Sequence, residues 1–445
     1  MKTARLILFG LLLLWSMPLH ATDIEEVTSP NGIKTWLVED HKLPLISLHF
    51  AFRGGVEQDP VDRQGLATLT MALLTQGAGA YDASAFQQQL ADHSIVMRFN
   101  AGRDALGGSL KCLREERQTG FALLHLALVN PHFEAAEIER ARGRQLTHLR
   151  FQLGDPDWQA RYALLGAIFA NHPYNQRSLG STKTLAALTQ ADIKNFAAAH
   201  LARDNLIVAA AGDITPDELK TALDQIFGDL PPAEKIASIP EVVWPPAPTS
   251  ILVPREGTQT GLLFARPGPK RLDPDWYAAE IADYILGGGG FSSRLMQEVR
   301  DKNGLTYGIE TGLGPMDHTA MITGEAATDN PNAGKAWTIA LAVWRRFFQE
   351  GASTGEIAAA KDYLTGSLPL TMTTTSAIAE VLVEIQREHL GRDYLQKRDG
   401  LIRGVTGDDV MRVIKKWFDP AALTLVLVGR PEGIKPAKTA EQVRE

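Results

Sequence analysis

The chain of 445 residues has a single cysteine, Cys112. One thiol cannot close an intrachain disulfide, and no C-x-x-C pair is present, so neither a disulfide scaffold nor a thiol redox motif is available. Cys112 lies in a strand-like run, Gly108-Ser-Leu-Lys-Cys-Leu, and reads as a buried structural thiol. Basic excess is also missing: 45 Lys and Arg stand against 52 Asp and Glu, a formal charge of −7. That balance argues against nucleic acid as a partner. After the first 21 residues no apolar run is long enough to span a bilayer. The eleven histidines are scattered, with no H-x-H and no pair four apart on a helix. No G-x-S-x-G occurs, which removes the usual serine nucleophile elbow. Gly287–Gly290 lacks the Lys-Ser/Thr of a phosphate loop and follows a helix, so it reads as a turn.

What is present begins with residues 1–21, which have the form of a secretory signal. Lys2 and Arg5 supply the positive start, Leu6 to Trp15 the apolar run, and Ala21 a small residue for cleavage, although Leu19 suits the −3 place poorly. Export to the periplasm or beyond is therefore expected. Losing Lys2 and Arg5 with the leader shifts the charge from −7 to −9.

The rest of the chain carries a repeat. Thr189 and Asp192 open one helix, Thr406 and Asp409 another, 217 positions later (406 − 189). Each Thr is a natural N-cap with an acid at N3. Each helix leads into an almost wholly apolar strand, ending at Gly212 and Gly429 (429 − 212 = 217). Looser matches in the same order join residues 133–138 to 352–357 and 84–90 to 292–298. Two copies of one unit are implied. Strands and helices do not alternate regularly, which favours α+β over a doubly wound sheet. The expected layout is an N-terminal α+β domain at 22–230, a proline-rich linker at 231–250, a C-terminal α+β domain at 251–435 and a tail at 436–445. Opening strands are expected at 34–38 and 46–52 as a pair about a turn at 39–42. Gly54-Gly55 is expected to bend the chain after an edge strand, one free to accept an extended peptide.

Several segments then resemble a known family. Asn31-Gly-Ile-Lys-Thr-Trp-Leu-Val, Gly54-Gly-Val-Glu57, Gly65-Leu-Ala67 and His172-Pro-Tyr174 occur in order in the first half. Leu286-Gly-Gly-Gly, Ser293-Arg-Leu-Met-Gln-Glu-Val-Arg300 and Gly304-Leu-Thr-Tyr307 follow in the second. Together they resemble the insulinase, pitrilysin and mitochondrial-processing-peptidase family. The resemblance implies two similar domains forming half of a peptidase clamshell. In catalytic members a helix after Gly-Leu-Ala carries H-x-x-E-H, whose two His bind zinc while the Glu acts as base. This chain has Thr68, Met71 and Ala72 in those places, on a helix expected at 65–76. The resemblance also implies a distal Glu ligand some seventy to eighty residues on. No acid lies between Glu139 and Asp155. No metal is therefore expected in this chain.

The resemblance further assigns Arg294 and Tyr307 to substrate contact, and both are donors suited to an oxyanion. The alternative for these two is structural: Arg294 pairing with Glu298 at i+4 and Tyr307 filling a core. Two functions stay open. One is an exported, zinc-less subunit that supplies Arg294, Tyr307 and chamber wall to a homologous H-x-x-E-H chain holding zinc. The other is a non-enzymatic scaffold or peptide-binding protein of the same fold.

Overall fold

The computed structural model describes residues 23–443; the expected signal lies outside them. The first half contributes β1 (Glu25–Thr28), β2 (Lys34–Glu39), β3 (Leu45–Arg53), β4 (Val96–Ala101), β5 (Ala105–Leu113) and β6 (Leu206–Gly212). Its helices are α1 (Leu66–Leu73), α2 (Ala83–Asp92), α3 (Arg117–Val129), α4 (Ala135–Gly154), α5 (Pro156–Ile168), α6 (Thr182–Ala187), α7 (Gln190–His200) and α8 (Pro216–Phe227). The second half contributes β7 (Ser250–Pro254), β8 (Gln259–Pro267), β9 (Ile309–Met316), β10 (Thr319–Asp329), β11 (Thr424–Gly429) and β12 (Lys438–Thr439). Its helices are α9 (Trp276–Asp283), α10 (Ala333–Glu350), α11 (Thr354–Thr371), α12 (Thr375–Arg387), α13 (Tyr394–Gly404) and α14 (Gly407–Trp417). No described helix is long and apolar enough to cross a membrane.

The two six-stranded sheets have orders β1-β2-β6-β3-β5-β4 and β12-β7-β11-β8-β10-β9. Position for position the pairing senses agree, apart from the outermost β1 and β12: parallel where β6 meets β2 and β11 meets β7, antiparallel through the rest. The duplication is thus a shared topology. It extends to a pair not foreseen from the repeat: Phe50 faces Gly108 across β3 and β5, and Phe264 faces Gly324 across β8 and β10. A Cβ on either glycine would sit 2.2 Å from the opposing ring. Both capped helices form as expected, with reciprocal bonds between Thr189 and Asp192 and between Thr406 and Asp409.

Three expectations need correction. The opening strands β2 and β3 are not neighbours, because β6 lies between them. That strand is buried along six of its seven residues and so takes a central place with a partner on each edge. The strand before Gly54-Gly55 is therefore interior, and the free edges of the first sheet are β1 and β4. Gly55 is glycine because the 102–105 loop crosses it: a Cβ there would lie 2.3 Å from Gly102 O. Finally, the expected tail at 436–445 places Lys438–Thr439 beside β7 as an edge strand.

Each sheet buries one face under helices of its own half. The other face is covered by a helix from the opposite half. α5 lies on β7, β8 and β11, where Leu164 and Ile168 meet Val253, Val426 and Val428. α12 lies on β2, β3 and β6, where Ala379 and Leu382 meet Val38, Ala51, Ala209 and Ala211. This exchange explains why β6 and β11 are apolar on both faces, and it ties the halves into one folding unit.

Candidate functional site

Gly65 precedes α1 with φ of 92°, a left-handed value that suits glycine. The Asp59 carboxylate accepts from Gly65 N at 2.8 Å and Ala67 N at 2.9 Å, satisfying N–H groups at the helix start. Burial pushes its pKa up to about 7 despite those bonds.

The three ligand positions on α1 have other uses. Thr68 Oγ1 donates to Ser178 O at 2.6 Å, pinning the 176–179 segment across the helix. Met71 is 2% exposed in the first-half core, and Ala72 is exposed but has no donor atom. Across from α1, α4 offers a neutral amide: Gln145 Nε2 donates to Gly65 O at 3.0 Å and Leu179 O at 3.2 Å. Neighbouring Leu149 is fully buried. These residues do not fit zinc, since none is an available His, Cys or carboxylate. Among the described residues no group of three or more His, Cys, Asp or Glu stands in metal-binding reach. Cys112 is 1% exposed in β5, and burial pushes its thiol pKa up to about 12.

In the second half, α9 passes into a wide π turn at Tyr284–Gly288, then a short 3-10 turn at Gly290–Ser292. Arg294 follows. Its guanidinium makes a two-pronged bond to Glu356, Nε to Oε1 at 2.7 Å and Nη2 to Oε2 at 2.8 Å, and lies 5.1 Å from the Phe347 ring centre. Arg294, helped by the Ser353 capping bonds, holds the Glu356 carboxyl down to about 2. The i+4 partner Glu298 instead binds Lys302 at 2.9 Å and Arg346 at 3.2 Å. Tyr307 does not fill a core: it is 88% exposed.

One residue of this segment escaped the sequence reading. Arg300 has no ion pair among the described residues and lies 4.5 Å over the Phe291 ring. The chain turns back directly after it, with Gly304 N bonded to Arg300 O at 2.7 Å. Arg300 and Tyr307 are therefore the uncommitted donors of this segment. The signal available was its second Arg, seven residues before the tyrosine.

Between the halves lies a cleft of about 920 Å³, with Arg98 and Asn100 of β4 on one wall, Pro315 and Met316 of β9 on another, and Glu380 and Arg387 of α12. His172-Pro-Tyr174 touches its lining through Asp104. The buried Tyr174 hydroxyl donates to Asp104 and accepts from His318 N at 3.1 Å, so it joins both halves. His172 Nε2 donates to Pro240 O of the linker at 2.8 Å. On the second half, Asp317 pairs with Arg387 at 3.2 Å.

Comparison with known proteins follows the same lines. Residues 187–364 match the family described as the peptidase M16 inactive domain. The non-peptidase homolog YmxG of Helicobacter pylori is 27% identical over 342 residues, covering 76% of this chain and 78% of that protein. The crystal structure of a peptidase M16 inactive domain from Pseudomonas fluorescens superposes with a TM-score of 0.86 at 28% identity, covering 93% of this chain and 99% of that one. In fold alone, the periplasmic protease PqqL of Escherichia coli matches with a TM-score of 0.78 at 14% identity, 92% of this chain spanning 46% of that one. With Thr68, Met71 and Ala72 where zinc chemistry would sit, the chain is similar in sequence and fold to the peptidase M16 family and, in its second half, to that family's inactive domain.

Proposed function

We propose that this chain is the exported, zinc-less subunit of a two-chain metallopeptidase, acting in the periplasm or another exported compartment. Its partner is a homologous chain with an intact H-x-x-E-H helix, and that chain holds the zinc. This subunit contributes chamber wall and hydrogen-bond donors. Arg300 and Tyr307 donate toward the carbonyl oxygen of a bound peptide, where preorganised donors favour a developing oxyanion. Arg294 acts as a positioning residue, anchoring the segment through Glu356. The reading is carried by one contrast: the metal positions carry no ligand, with Thr68 hydrogen-bonded to Ser178 and Met71 in the core, while Tyr307 stands 88% exposed.

The test is reconstitution. The purified chain is expected to be inactive alone and to give a chelator-sensitive peptidase with its partner. In that pair, Tyr307→Phe lowers turnover by about 10²-fold, the loss typical of an oxyanion donor. Unchanged turnover in Tyr307→Phe and Arg300→Gln would sink the donor role. The second reading, a non-enzymatic peptide-binding scaffold, is favoured by the commitment of Arg294 to Glu356. It requires that no zinc-bearing chain co-purifies from the envelope fraction.

A further inference from the structure

The 176–179 segment that seals α1 has a second side. There it lines a cleft of about 430 Å³ together with α4, α5 and the end of β4. This volume is in the range that holds a small ligand. Its chemistry differs from that of a zinc site. Three guanidiniums line it: Arg103, Arg161 and Arg177. Arg177 lies 4.7 Å over the Tyr162 ring and has no carboxylate partner among the described residues. Tyr162 in turn stacks on Trp158, 5.3 Å between centres and 6° from parallel. The carboxylate nearest Arg161 is Glu325, at 4.0 Å. Two acids share the lining, Asp155 and Asp157. Asp155 is spent on the first turn of α5, where it accepts from Asp157 N at 2.9 Å. The cleft therefore offers planar, partly unspent cations on an aromatic floor, a setting that matches a carboxylate.

A second observation narrows the ligand. Gln176 Oε1 lines this cleft, is buried and has no hydrogen-bond partner. A buried unpaired acceptor calls for a donor. Acetate carries no donor, and a phosphate dianion carries a single O–H, a case that competition with inorganic phosphate separates. The last residue of a peptide carries both groups, an anionic α-carboxylate and the N–H beside it.

The approach also fits a chain. The 430 Å³ cleft and the 920 Å³ cleft share Gly102, Arg103 and Arg161. The edge strand β4 runs from one to the other, Arg98 to Asn100 on the larger and Ala101 on the smaller. An extended segment lying along β4 ends at the arginines.

We propose that this cleft reads the C-terminal carboxylate of a peptide, held by Arg161 and Arg177 with its last N–H donated to Gln176. The inference stands apart from the two-chain reading, because it is tested on this chain alone. The probe is an N-terminally labelled nonapeptide in two forms, free acid and C-terminal amide, followed by fluorescence anisotropy with the purified full chain. The acid is expected to bind at least about tenfold tighter, the lower end for a hydrogen bond to a charged group. Arg161→Gln/Arg177→Gln erases the difference, whereas Arg161→Lys/Arg177→Lys keeps part of it. Thermal melts confirm that the variants fold; the acid-to-amide ratio on the unmodified chain decides even where they do not. Equal binding of acid and amide, binding of neither, or displacement by inorganic phosphate as readily as by unlabelled acid would overturn the proposal.

Discussion

Leu382→Ala tests the exchange of helices between halves. Leu382 is fully buried on α12, facing Val38, Ala51, Ala209 and Ala211 of the first sheet. The change removes three carbon groups at about 0.8 kcal/mol each. The alanines opposite are short side chains on paired strands, so the hole closes little and a cavity cost adds to the transfer loss. Together these give about 3–4 kcal/mol, a large share of the ~5–15 kcal/mol that holds a typical protein folded. The assay is the urea midpoint, with amide hydrogen exchange read separately for β6 and β11. If α12 locks the halves together, both strands lose protection by similar free energies, although only β6 is touched. Leu401→Ala, at a site 45% exposed, is the surface control and costs under about 0.5 kcal/mol. Loss confined to β6, or a midpoint equal to that of the control, would refute the interlock.

Three further outcomes are expected. Glu356→Gln removes a carboxyl whose pKa falls from the ordinary 4.5 to about 2 in the folded chain. A lowered pKa stabilises above 4.5 and is lost as pH falls toward 2, so the variant loses roughly 1 kcal/mol at pH 7 after allowing for solvent screening and converges with the parent near pH 2. Urea midpoints across that range check it, and a constant gap at all pH values contradicts it. Gly108→Ala and Gly324→Ala each drive a Cβ to 2.2 Å from a Phe ring and are expected to cost about 1–3 kcal/mol each; a melting temperature unchanged in either denies the shared Phe–Gly pair. Thr68→His/Met71→Glu/Ala72→His rebuilds the motif on paper, yet binds no stoichiometric zinc by metal analysis and loses several kcal/mol, roughly 3–5, because the carboxylate that replaces the Met71 side chain would be charged in a core with no partner. Stoichiometric zinc with stability retained would show that the missing distal acid is not needed.

Local chemistry was legible in the sequence and long-range pairing was not. The Thr189/Asp192 and Thr406/Asp409 caps are set by residues three apart, and both formed. Cys112 was legible for the same reason, since on the alternating strand β5 it shares the inward face with Leu106, Gly108 and Leu110. The insertion of β6 between β2 and β3 depends on a partner more than 150 positions away, which no local pattern specifies. Amphipathic spacing shows that α12 has an apolar face but not which sheet that face meets, and α5 is too evenly mixed for spacing to mark its buried face at all. The same limit governs the candidate site. The i+4 rule pointed Arg294 to Glu298, whereas the guanidinium reaches Glu356, 62 positions on, whose carboxylate is preset by the Ser353 cap. With two arginines in one segment, the choice between Arg294 and Arg300 rests on which finds a distant acid.

The two sides of the candidate site differ in character. On the metal side Thr68 pins the 176–179 segment, Met71 fills the core, and Gln145 ties α4 to the start of α1, while Ala72 is exposed and carries no ligand atom. A site merely emptied would leave a polar hollow, and buried polar hollows are costly. Here those positions are taken up by the fold, and on the far side of the 176–179 segment three arginines stand against two acids. In the second half, packing explains Arg294 but leaves Tyr307 exposed and Arg300 without an acid. Folding alone places no demand on those two groups. Whatever selects them lies outside the chain, and a peptide or a second subunit is the kind of partner that exposed donors on a cleft-forming fold are suited to meet.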